Sequence, residues 1–183
     1  MAVAITLLVL NIETPDVATD DVGDALIDLL PSLGAYVLSF ALIGRFWFLH
    51  HRLFDTFARA DSRLLVLNLV FLMLIALVPF ATDLSDRYST APIAAATFGA
   101  TLGLAALANW SMGDHARRTG LLKESAVRDV VDPADKLVGL GIALVFFLSV
   151  PVAFLSATLA WLMWASVMFI RYPLRNVARW VSR

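Results

Sequence analysis

The 183-residue chain is 60% hydrophobic and only 16% charged, against roughly 25% charged in soluble domains. Its formal net charge is -1, with basic residues spread over several segments and no patch interleaved with aromatics, which argues against nucleic acid. The absence of cysteine rules out a disulfide framework or a thiolate metal site, and the three histidines lack zinc-ligand spacing.

In chain order, the first apolar segment runs from Met1 to Ile12, broken only by Thr6 and Asn11. As a helix it reaches about 18 Å, short of the roughly 30 Å of a bilayer core. Glu13 to Asp28 carries six acidic residues and no Lys or Arg. A second apolar span is predicted over 29–50, starting near Pro31, because the first helical turn has no intrahelical use for the missing N–H. A third span is predicted over 64–81, stopping after Pro79 and Phe80, and a fourth over 91–112 with Pro92 in its first turn. The longest connection, Gly113 to Lys136, ends in Asp132-Pro133, the pattern of an Asp cap followed by proline. The fifth span, 136–155, breaks at Pro151 and turns through Ser156, Ala157 and Thr158 into the sixth, 157–171. With so much of the chain in apolar spans, the expected organisation is a single all-α, polytopic membrane domain over 1–183.

Charge sets the threading. Arg52, Arg59 and Arg63 follow the second span; Arg117, Arg118, Lys123, Arg128 and Lys136 follow the fourth; Arg171, Arg175, Arg179 and Arg183 end the chain. Only Arg87 falls in a loop of the opposite set, and Arg45 lies near the end of the second span. Positive loops stay on the cytoplasmic side, so six spans with both termini cytoplasmic satisfy every connection.

The span centres are almost empty of ionisable groups, whereas membrane catalysts and ion-coupled carriers place charges there. No Ser-His-Asp spacing, HExxH or phosphate loop occurs, so an enzyme is not expected. Arg45 is within snorkelling reach of the basic end. Trp47, His50 and His51 beside it read either as an interfacial belt or as a polar cluster tying the second span to the first. Asn68 in the third span and Pro151 in the fifth keep a carrier in view. Gly99 and Gly103 form a small-xxx-small face that lets another helix approach closely.

The first segment is apolar on every side, so lipid or other helices must surround it. Val3, Leu7 and Leu10 fall on one stripe at helical spacing, with Thr6 beside it. Either the helix is an ordinary packed span, or copies from several subunits ring an axis. In the second case, aliphatic rings make a dewettable constriction and the threonine hydroxyl partly replaces ion hydration. Periodicity leaves both readings open.

The run Ala4 to Ile12, together with His50-His51-Arg52-Leu53-Phe54, Asp61-Ser62-Arg63-Leu64-Leu65, Asn68-Leu69 and Pro79-Phe80, resembles the bacterial branch of the transmembrane protein 175 family. The resemblance covers roughly residues 2–82, and the last three spans match only in length and hydropathy. It implies a potassium-permeable channel with six spans per chain, and a homotetramer whose pore is lined by the first helix. It further implies a bacterial plasma-membrane location, with other copies of the chain, membrane lipid and potassium as partners, and no cofactor. The family's aliphatic pore layers fall on Val3, Leu7 and Leu10 and its pore threonine on Thr6. Arg45, Trp47, His50, His51 and Asn68 would form the supporting polar cluster. The family's first helix normally opens with an Arg-x-x-x-Phe-Ser-Asp signature that would lie upstream of Met1. That departure and the short first segment both lead to the expectation of a longer N-terminus. A proton-coupled or other secondary transporter and a non-conducting membrane scaffold are the competing functions.

Overall fold

The computed structural model describes residues 1–10, 12, 16, 18, 21–126 and 133–169, the side chains of 133–138 excepted. The predicted basic tail, the end of the sixth span, Asn11, Arg128, Asp132 and the side chain of Lys136 lie outside the described residues. Within them the fold is all-helical: α1 (Ala2–Val9), α2 (Val22–Asp28), α3 (Leu30–Asp55), α4 (Ser62–Arg87), α5 (Pro92–Thr119), α6 (Pro133–Leu155) and α7 (Ala157–Ser166), which runs into a 3-10 turn, Val167–Phe169. Among the described residues α3, α4 and α5 are long and apolar enough to cross a membrane, while Gly139–Leu155 and Ala157–Phe169 are shorter apolar helices.

Several helices extend past their apolar stretches. α4 continues through Pro79 to Arg87 rather than stopping after Phe80. A proline removes only its own N–H, and Thr82 Oγ1 donates to the Val78 carbonyl at 2.9 Å within the same turn. α5 runs through Arg117 and Arg118 and stops at Gly120, whose φ of 67° closes the helix in the left-handed conformation that glycine adopts without strain. α6 likewise passes Pro151, and Ser156 alone separates it from α7, accepting the Leu159 N–H at 3.4 Å as its cap. Inside the acidic segment, α2 forms a short helix. Asp21 and Asp24 at its start suit the positive end of the helix dipole.

The tightest packing is between α5 and α6. A Cβ at Gly99 would stand 2.6 Å from Ser149 Oγ, and one at Gly103 would stand 3.1 Å from the Phe147 ring. Two glycines one turn apart thus bring the backbones together, as helix association in lipid favours. Ser149 Oγ donates to the Phe146 carbonyl at 2.6 Å and accepts the Nε1–H of the fully buried Trp164 at 2.7 Å, which ties α7 to the same seam. On the other side of the bundle α4 packs on α5, and α1 lies against α4 and α3. Phe46 joins the two halves of the core, with ring centroids 6.2 Å from both Phe71 and Phe146.

The two basic connectors interlock at one end. Phe57 and Leu122 form an antiparallel bridge, Ala58 N–H donates to the Leu121 carbonyl at 2.8 Å, and Lys123 N–H donates to Thr56 at 2.9 Å. Lys123 Nζ reaches the Asp55 carbonyl at 2.7 Å. At the opposite end the short turn from α4 to α5 is fastened by Ser85 Oγ on the Ala94 carbonyl, 3.1 Å. The connectors expected on one side of the membrane therefore share one end of the bundle.

Candidate functional site

α1 has two unlike faces. Ala4 and Leu8 are buried against the core, with Met1 and Ile5 partly buried beside them. On a helix turning 100° per residue, Thr6, Leu10 and Val3 lie nearly opposite that anchored side, and Leu7 occupies one shoulder. Exposure follows this geometry: Leu10 is 73% exposed, Val3 70% and Leu7 41%. The stripe singled out from the sequence is thus the surface of α1 that its own chain leaves uncovered. Thr6 Oγ1 donates its proton to the Val3 carbonyl at 2.9 Å. The hydroxyl proton is used within the helix, and the oxygen lone pairs remain available to a cation.

The five residues expected to form one polar cluster point in three directions. His50 Nε2 donates to Asn68 Oδ1 at 2.8 Å, linking the second span to the third rather than to the first. Its ring lies between Phe54 and Phe71, with centroids 4.4 and 4.8 Å away, so the imidazole is both clamped and partly shielded. Trp47 and His51 stack on each other at 5.6 Å on an exposed face, and His51 lies 3.7 Å from Asp55. Arg45 turns to a groove formed with Leu42, Phe46, Leu49, Ile142 and Val167. Arg45 stands 200° from Trp47 and 140° from His50 around the helix, which is why it cannot share their face, whereas Trp47 and His50 are only about 60° apart.

One polar contact had no signal in the sequence. Asp61 caps α4 by accepting the Leu64 N–H at 2.8 Å, and its other oxygen accepts His115 Nε2 at 2.8 Å. The Leu64 N–H first, and the His115 bond second, hold the Asp61 carboxyl below the usual carboxylate range. Asp61-Ser62-Arg63-Leu64 reads as a helix start, but nothing in the spacing links it to a histidine 54 residues away. The Phe54 half of the His50 clamp, by contrast, was legible as an i, i+4 pair.

The family model for the endosomal/lysosomal potassium channel TMEM175 matches residues 1–79. A potassium channel of Streptomyces collinus is 37% identical over 164 residues, covering 86% of this chain and 79% of that protein. A potassium channel of Chamaesiphon minutus is 38% identical over 142 residues, covering 74% and 70%. The fold is similar to the crystal structure of a lysosomal potassium-selective channel TMEM175 homolog from Chamaesiphon minutus, with a TM-score of 0.81 at 30% identity over 92% of this chain and 89% of that one. The motifs His50-His51-Arg52, Asp61-Ser62-Arg63 and Asn68-Leu69 thus sit in a helical multi-pass membrane protein that belongs to the TMEM175 family, a family of ion channels and not of enzymes.

Proposed function

We propose that this chain forms a potassium-favouring channel in which four copies surround an axis and α1 lines the conduction path. The carrying observation is the outward stripe of α1: Val3, Thr6 and Leu10 face away from a helix side that Ala4 and Leu8 fix to the core. Val3 and Leu10 are about two turns apart, some 10 Å along the axis. Rings of these side chains, with Leu7 on the shoulder, form a narrow aliphatic constriction that opens or closes by wetting. Between them the Thr6 oxygens supply a layer that offsets part of the hydration a cation sheds. No carbonyl cage is needed, so selectivity for potassium over sodium is modest, and no cofactor takes part.

The interlocked basic connectors belong on the cytoplasmic side by the positive-inside rule. Six spans with both termini cytoplasmic, in a bacterial plasma membrane, complete the reading. Both named relatives are bacterial proteins called potassium channels, which supports the choice of ion and membrane.

Potassium and sodium flux into proteoliposomes tests the proposal, with the mass of the detergent-extracted particle reporting four subunits. Potassium flux should exceed sodium flux, and Leu10→Ala should raise leak by widening the ring. Unchanged conductance in both Leu10→Ala and Leu7→Ala removes α1 from the path.

A further inference from the structure

α4 is weakened twice within one turn. Pro79 has no N–H, so the Ile75 carbonyl lacks the donor that residue 79 would otherwise supply. Thr82 Oγ1, bonded back to the Val78 carbonyl at 2.9 Å, adds the side-chain bond that bends helices. Long helices kink at such places. The weak turn divides α4 into a long stretch, Ser62 to Val78, and a short outer one, Phe80 to Arg87.

The same threonine joins α4 to α3. Its Oγ1 also lies 2.9 Å from Ser39 Oγ, and both residues are buried, at 4% and 0% exposure. A hydroxyl carries one proton, so Thr82 either gives it to Val78 while accepting that of Ser39, or turns it to Ser39. Rotation of two hydroxyls thus shifts hydrogen bonding between the α4 ladder and the contact with α3. The outer stretch is also the wall behind α1. There, at the end of the bundle away from the interlocked connectors, an open crevice of about 250 Å³ is lined by Leu8 and Ile12, by Ser32 and Tyr36 of α3, and by Thr82 and Asp86 of α4. At its tip Ser85 Oγ holds the outer stretch to the Ala94 carbonyl of α5, so it can rotate about Pro79 without detaching.

We infer that Pro79 is a hinge in α4 and that the Ser39–Thr82 bond is the latch that holds the outer stretch, and with it the wall behind α1, in its present position. With the latch open, α1 has room to settle into the crevice. Its Val3, Thr6 and Leu10 surface lies on the opposite side and then withdraws. The consequence for conduction rests on the reading of α1 as the pore helix: withdrawal widens the aliphatic ring, so the latched chain is the less conductive form. The hinge itself does not depend on that reading.

Hydrogen exchange of the detergent-purified full chain, resolved along α4, tests this. Removing the latch in Thr82→Val should speed exchange of the outer stretch and of α1 about fivefold, with Ser62 to Val78 unchanged. Ser39→Ala should do the same, and combining the two should add little, since they remove one bond. Pro79→Ala restores the missing backbone donor and should slow exchange in the outer stretch. Faster exchange spread evenly over α4 is general loosening and overturns the hinge. So does an outer stretch whose exchange is the same in Thr82→Val, in Pro79→Ala and in the unmodified chain. If Thr82→Val does not fold, Ser39→Ala and Pro79→Ala carry the comparison. In proteoliposomes, Thr82→Val should raise potassium flux several-fold. Exchange needs no conduction, so the two readings fail separately: localised exchange with no change of flux upholds the hinge and counts against α1 as the pore helix.

Discussion

The half of the bundle built from α5, α6 and α7 differs from α1 and α3 in how much of itself it covers. In α5, 61% of the apolar span is buried within the chain, against 33% in α3. The reason is residue size. Gly99 and Gly103 let α6 come close enough for Ser149 and Trp164 to complete a sealed seam, whereas α1 presents branched aliphatics on its outward side. The spans of α3 and α5 are nearly equal in hydropathy, so hydrophobicity alone does not explain why one is covered and the other is not. Packing does: one region is finished within the chain, and the other has a face that needs lipid or another copy.

Substitutions can break that contrast. The largest effect is expected at Gly99, where a Leu side chain must displace Ser149 Oγ and the seam behind it. Gly99→Leu should cost at least about 3 kcal/mol, the upper end of overpacking, and should be read as loss of folded protein in detergent. A normally folded Gly99→Leu protein would show that the dense half is not dense.

On the other face, Leu10→Ala should leave folding intact, because the side chain has few partners in its own chain. Ion leak into proteoliposomes should rise by about tenfold, equivalent to roughly 1.4 kcal/mol off the barrier. A Leu10→Ala protein that unfolds while its leak stays normal would reverse the roles assigned to the two regions.

A smaller change is expected where α3 meets α4. Asn68→Leu takes the acceptor from His50 Nε2, and the partly shielded imidazole N–H is left unsatisfied. A loss of about 1 kcal/mol, measured as a lower melting temperature, should follow. The same loss in His50→Phe, with no further loss in the double variant, would attribute it to this bond.

Smallest is the contact between the α4 cap and α5. Asp61 has a folded-state pKa below its unfolded value, so its contribution is present above the ordinary carboxylate range and is lost as pH falls through the lowered value. Asp61→Asn should therefore lower the melting temperature at neutral pH and flatten its decline in acid. An unchanged acid limb would mean that the Leu64 and His115 contacts contribute nothing measurable.

Much of this protein was legible in its sequence. A membrane span is set by the length of apolar chain, and its preferred side by flanking charge. Both are local properties, and they gave the helices and the pairing of basic connectors at one end. The Val3, Leu7 and Leu10 stripe followed from helical periodicity in the same way. Helix ends were less legible, because α4 and α5 continue into polar residues wherever backbone bonds can still close, as past Pro79 and up to Gly120.

Only tertiary structure decided which side of each helix is used. It joined His50 to Asn68, brought His115 to Asp61, and left Ser32, Tyr36 and Asp86 lining one crevice. It also determined that Ala4 and Leu8 turn inward while Thr6 and Leu10 turn out. A helix apolar on all sides has no preferred orientation in lipid, so the rotation of α1 is fixed by the shapes of the helices it packs against.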